Sequence, residues 1–92
     1  MTTVWRRAAL LVLVCAGALT LQPAAAQATC DWYVKTSLEQ QQRNLNLKCG
    51  FEGAKWSTDK ATHQEWCANV GPDVSRKAAQ EREKALITCA GG

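Results

Sequence analysis

The chain lacks the features that would place it in most large functional classes. It has no tandem repeat, no low-complexity run, no linker and no second long apolar run after the first. Without that second run there is nothing to span a membrane beyond the amino-terminal segment. That segment, "AALLVLVCAGALTL", is itself too short to cross a bilayer comfortably. Histidine occurs once, at His63, so a histidine-rich metal site is excluded. Cysteines never come as a close C-x2-C pair, which removes the usual zinc spacing. No block of one charge sign exists, and with it goes the usual footprint of a nucleic-acid or anionic-membrane partner. The acidic residues Glu39, Glu52, Asp59, Glu65, Glu81 and Glu83 offer no pair that can be set across a substrate groove, as a glycosidase requires.

What is present begins with an export signal. Arg6 and Arg7 precede the apolar run, and Ala26-Gln27-Ala28 supplies small residues at −3 and −1. This three-part layout predicts a secretory signal peptide over residues 1–28, cleaved after Ala28. A lipid anchor on Cys15 is disfavoured because Val14 stands where a small residue is wanted. The expected product is one domain over residues 29–92, about 64 residues and near the lower limit for independent folding. Removing Arg6 and Arg7 from eleven Lys/Arg leaves nine against eight Asp/Glu, so the product carries a net charge of +1.

Four cysteines remain: Cys30, Cys49, Cys67 and Cys89. An even number in a small exported chain predicts two disulfides, which a domain with little core needs. Three helical segments carry them. In "CDWYVKTSLEQQQRNLNLKC", Cys30, Val34, Leu38, Gln41, Leu45 and Cys49 fall within an arc of about 100° on a helical wheel. Gly50 is the expected stop. A short helix is expected from about Thr58 to Ala68, with Ser57, Thr58 and Asp59 as alternative caps. Pro72 and Asp73 suit the first turn of a last helix. There Val74, Ala78, Ala85 and Cys89 share a line beside Ala79, Arg82 and Leu86.

The predicted fold is therefore all-α, a small disulfide-stapled bundle of two longer helices and one short helix. Two pairings satisfy it. The nested one, Cys30–Cys89 with Cys49–Cys67, is preferred because the short helix then closes only a local excursion. An up-down-up bundle gives Cys30–Cys67 with Cys49–Cys89 instead.

His63 and Cys67, at i and i+4, form the one Cys–His pair, but a disulfide leaves no thiolate to ligate or attack. His63 is read as a partly exposed helix residue. Trp56 and Trp66 are expected to fill the core and cover the disulfides. Trp32 and Tyr33 stand beside the charged side of the first helix and are candidate surface contacts.

The pattern of Cys30, Tyr33, "LEQQQ" from Leu38, Asn44, Cys49-Gly50, Gly53, Trp56, Asp59, His63, Trp66-Cys67, Leu86 and Cys89 resembles small exported bacterial cysteine-containing proteins of no assigned activity. The resemblance covers Cys30 to Cys89 and implies a helical disulfide-linked module with no catalytic residue to carry over. Trp56, Asp59, His63, Trp66 and Cys67 are the positions where it would place a shared site. The expectation is a non-enzymatic periplasmic or secreted module without cofactor. Its partner is a protein or cell-envelope glycan, bound through Trp32, Tyr33, Trp56, His63 and Trp66. A secreted effector, toxin or inhibitor is the alternative, and a redox or metal protein using Cys67 and His63 is a third reading.

Overall fold

The structure, a computed structural model, describes residues 24–91. Most of the expected leader, residues 1–23, lies outside the described residues. Helix α1 spans Ala24–Leu47, a 3-10 turn covers Ala54–Trp56, α2 spans Lys60–Ala68 and α3 spans Pro72–Gly91. No strand occurs among the described residues, so the all-α bundle of two longer helices and one short helix is what forms.

Local chemistry sets each helix end. The stop of α1 is not Gly50 but Lys48, which adopts the left-handed conformation at φ 55°. The Lys48 N–H donates to Leu45 O at 3.2 Å and the Cys49 N–H to Asn44 O at 3.1 Å. These are the two bonds of a Schellman motif. Gly50 takes the next positive φ, 78°, and turns the chain back. Asp59 is the cap of α2: its Oδ1 accepts from the Ala61 N–H at 3.0 Å and its Oδ2 from Thr62 Oγ1 at 3.2 Å. Nine residues are too few for a stable isolated helix, so α2 depends on this cap and on its disulfide. At α3, Gly71 O accepts from the Val74 and Ser75 N–H groups, with Pro72 and Asp73 in the first turn as expected.

The disulfides correct the preferred pairing. Cys30 joins Cys67 and Cys49 joins Cys89, with Cα separations of 5.6 and 5.9 Å; the nested pairs Cys30–Cys89 and Cys49–Cys67 do not form. The physical reason is the length of chain between α1 and α2. Residues 48–59 run largely outside regular helix and travel up to ~3.3 Å per residue, against 1.5 Å in a helix. This stretch and α2 together carry the chain from the carboxy end of α1 back to its amino end. Helix α3 then starts beside Cys30 and runs parallel to α1, so their carboxy ends meet at Cys49–Cys89. The bundle is up-down-up.

The centre of the α1–α3 contact is polar. The buried line of α1 is Tyr33, Ser37, Gln40 and Asn44, flanked by Val34 and Gln41. It is rotated by about 100° from the apolar stripe read in the sequence, and Leu45 and Leu47 are exposed. Ser75, Ala78, Ala79, Arg82 and Leu86 face it from α3, while Val74 is exposed. Arg82 is only 3 % exposed. Its Nε donates to Gln40 Oε1 at 2.8 Å, its Nη1 to the Tyr33 hydroxyl at 3.0 Å and its Nη2 to Ser37 Oγ at 2.6 Å. The guanidinium carbon also lies 5.0 Å from the Tyr33 ring centroid. Gln40 Nε2 in turn donates to Ala79 O at 2.9 Å and to Glu83 Oε1 at 3.4 Å. One glutamine thus links a buried cation to a surface carboxylate. Small residues at 78 and 79 let the helices approach closely enough for these bonds.

At the rim of this contact Arg43 and Glu83 form a bidentate pair at 2.8 and 2.9 Å. The Arg43 hydrogen bonds hold the Glu83 carboxyl below its usual range, and Glu83 in turn raises Arg43. Both side chains are more than a third exposed, so solvent screens the pair to about 1 kcal/mol or less. A depressed carboxyl stabilises the fold above its unfolded pKa and loses that contribution as pH falls through the folded value. Glu83→Gln should therefore cost up to about 1 kcal/mol near pH 7, and the difference from wild type should vanish in acid. Denaturant titrations of both proteins at neutral and acidic pH check this; a cost that persists in acid contradicts it.

Candidate functional site

The residues proposed from the sequence as contacts separate into a buried group and a surface group. Tyr33 is 1 % exposed and belongs to the core, packed with Cys67, Ala78 and Ala79. It is not a surface contact; its hydroxyl is taken by Arg82. The physical reason is its place on the inner line of α1, one helical step from the exposed Trp32. His63 is likewise buried, at 2 % exposure, rather than partly exposed. With Nε2 as the protonated nitrogen, it donates to Ser57 O at 2.7 Å. Its ring meets the Tyr33 ring edge-on at 6.1 Å. His63 therefore ties the start of α2 to the segment before it, and Cys67 is engaged with Cys30. No group of three or more His, Cys, Asp or Glu among the described residues is arranged to hold a metal ion.

Trp66 is half-buried and stacks obliquely on Tyr33, with centroids 5.2 Å apart, against the core that contains the Cys30–Cys67 staple. This is the covering role expected of it. Trp56 is half-buried too, but it packs on Phe51 at 4.8 Å and 27°. That pair sits on the loop after α1, and Trp56 directly precedes Ser57, whose carbonyl accepts from His63. Among the tryptophans of the described residues, Trp32 is the one left open, at 44 % exposure. It lines a shallow depression with Ala28, Thr29 and Arg76.

Three further hollows deserve comparison by their walls. One, of about 420 Å³, lies at the amino end of α1 against Cys67, Val70 and Pro72. Ala26 and Gln27 form part of its wall, and the expected cleavage after Ala28 would remove them. A second, of about 380 Å³, lies between α1 and α2 under Val34, Leu38 and Lys60. The third, of about 560 Å³, lies between the carboxy half of α1 and the aromatic loop. Gln41, Asn44 and Lys48 face Phe51, Glu52 and Trp56 across it.

The loop wall of this third groove is fixed by one residue. Asn44 Oδ1 accepts from the Phe51 N–H at 3.1 Å, and Asn44 Nδ2 donates to Phe51 O at 2.8 Å. A side-chain amide thus pairs with the loop backbone as a neighbouring strand would. Asn44 Nδ2 also donates to Gln41 Oε1 at 2.8 Å. Gly53, at φ 109°, occupies a backbone region closed to other residues and lets the loop enter the 3-10 turn. Apolar periodicity places Gln41 on the stripe of α1 but assigns it no partner, and it gives no reason to pair Asn44 with Phe51. The available signal was the run of amides on the face of α1 that also carries Tyr33. Compared with known proteins, the chain matches no family model, no curated protein and no solved structure.

Proposed function

We propose that this chain is a non-enzymatic periplasmic or secreted helical module that binds a protein or cell-envelope glycan through aromatic side chains at its surface. The observation that carries the reading is the contrast between a frame fixed by two disulfides and the aromatics it leaves accessible: Trp32 outright, and Phe51 and Trp56 in part. Aromatics held rigidly bind at low entropic cost, which is why they concentrate binding energy. The two disulfides are consistent with an oxidising compartment, and no described helix is long and apolar enough to cross a membrane. With the leader removed after Ala28, α1 would begin at Thr29, one residue before its staple.

The test is a glycan array together with a pull-down from envelope extract, using wild type, Trp32→Ala and Trp56→Ala. Loss of about tenfold or more in one variant is expected and locates the contact. Trp32 is exposed enough that its removal leaves the fold intact, which circular dichroism checks. Undiminished binding by both variants would contradict the reading.

A further inference from the structure

The groove between α1 and the aromatic loop holds a polar group that the protein itself does not satisfy. Gln41 is 9 % exposed, and its Oε1 accepts from Asn44. Its amino group makes no hydrogen bond among the described residues. No side-chain nitrogen or oxygen among the described residues is both sealed from solvent and unpaired, so this amino group meets water at the groove surface and is open to exchange that water for a ligand. The orientation of the Gln41 amide is fixed. Asn44 gives one amino proton to Gln41 Oε1 and the other to Phe51 O, and its own Oδ1 is held by the Phe51 N–H. The oxygen of Gln41 is therefore committed, and the nitrogen is the end left for a ligand in the groove that Gln41 lines.

The rest of the wall narrows the ligand. Phe51 and Trp56 supply a stacked, half-buried aromatic pair. Lys48 and Glu52 bring one charge of each sign, so the groove carries no net charge for a phosphate or a carboxylate ligand. A peptide adding as a strand would need loop backbone groups to pair with, and Asn44 already occupies the N–H and C=O of Phe51. The volume, about 560 Å³, lies in the range of small-ligand sites. A neutral ligand with a carbonyl acceptor, a small apolar group and hydroxyls fits this wall.

We propose that this groove binds an N-acetylated amino sugar: the Gln41 amino group donates to the acetamido carbonyl, and the Phe51–Trp56 pair takes the acetamido methyl and the sugar ring. The proposal rests on the glycan branch of the function proposed above. The experiment titrates the oxidised, 15N-labelled protein with triacetylchitotriose and, in parallel, with cellotriose, which has the same linkage and no acetamido group. Saturable shifts of the Gln41 side-chain NH2 and the Trp56 indole N–H are expected with triacetylchitotriose. Affinity for cellotriose should be weaker by about tenfold or more, since the donor is then left unpaired. Gln41→Glu, which keeps an oxygen for Asn44 but loses the donor, should weaken triacetylchitotriose by a similar factor; Trp56→Ala should weaken it independently; Val74→Ala, at an exposed position of α3 outside the groove, should leave it unchanged. Equal affinity for the two sugars, shifts centred on Trp32, tighter binding of a proline-rich peptide in the same groove, or no shift with either sugar would each overturn the proposal. If these fail while Trp32-dependent binding persists on the array or in the pull-down, only the groove is wrong. If wild type binds nothing in those assays either, the functional reading itself falls.

Discussion

Arg82→Ala is expected to unfold the bundle, or to leave it at the edge of stability. The substitution removes the donor from three buried acceptors, Gln40 Oε1, the Tyr33 hydroxyl and Ser37 Oγ. Each stranded group costs about 1–3 kcal/mol when it cannot reach water. The three partners left behind are neutral, and the vacated side-chain volume adds to their cost. A domain this small has a total stability near the low end of about 5–15 kcal/mol. Arg82→Lys should be intermediate, since an ammonium is a point charge and cannot span three acceptors with the geometry of a guanidinium. The converse variant separates the network from simple packing. Arg82→Met combined with Tyr33→Phe, Ser37→Ala and Gln40→Leu strands no polar group and should recover much of the loss. Urea unfolding followed by circular dichroism reads all three proteins. A cost below about 1 kcal/mol for Arg82→Ala would mean that the guanidinium is not the hub of this core.

Loss of the disulfides should be comparably severe. The two bridges close sequence separations of 37 and 40 residues. On the chain-entropy account, loops of this length each contribute about 4 kcal/mol by restricting the unfolded chain. They are needed because the buried apolar side chains are few: Tyr33, Val34, Cys67, Ala78, Ala79 and Leu86. Reduction of both is expected to abolish the cooperative helical transition. Single-pair variants should differ in where they loosen. Cys49→Ser with Cys89→Ser frees the carboxy ends of α1 and α3, beyond the Arg43–Glu83 pair. Cys30→Ser with Cys67→Ser frees α2, which has only its Asp59 cap and the Tyr33, His63 and Trp66 contacts to hold it. Amide exchange should thus rise first at the end of the bundle in one case and across α2 in the other. A reduced protein that keeps a cooperative transition would contradict this.

The contrast between what the sequence revealed and what it concealed follows from the same chemistry. Helix positions, the Pro72–Asp73 start and the existence of two disulfides were legible because they depend on local residue types and on compartment. The covering role of Trp66 was legible for the same reason. Register was not. The inner face of α1 is written in Ser37, Gln40, Gln41 and Asn44; the apolar stripe took in Gln41 alone, and hydrophobic periodicity counts the other three as outward. Their burial depends on Arg82 arriving from α3, a non-local fact. Once Arg82 is placed on the inner line of α3, the four polar residues on α1 become its partners and their neighbours, and Tyr33 turns inward with them. The disulfide pairing was hidden for a related reason. Both pairings join helix ends, and the choice depended on how far residues 48–59 extend. His63 looked like a surface residue on a short helix, but Ser57 O offers it a buried acceptor only after the chain has turned at Gly53. The groove beside Gln41 inherits all of this, since its amide is oriented by Asn44 and its far wall by the extended loop.

The pairing of the four cysteines is the point on which the arrangement of every aromatic depends. It sets α3 parallel to α1, seats Arg82 against Tyr33 and leaves Trp32 at the surface. Digestion of the unreduced protein with trypsin, followed by mass spectrometry of the linked peptides, measures it directly. Cys30 linked to Cys67 and Cys49 linked to Cys89 is the predicted result; Cys30 linked to Cys89 with Cys49 linked to Cys67 would contradict the up-down-up bundle and the polar core built on it.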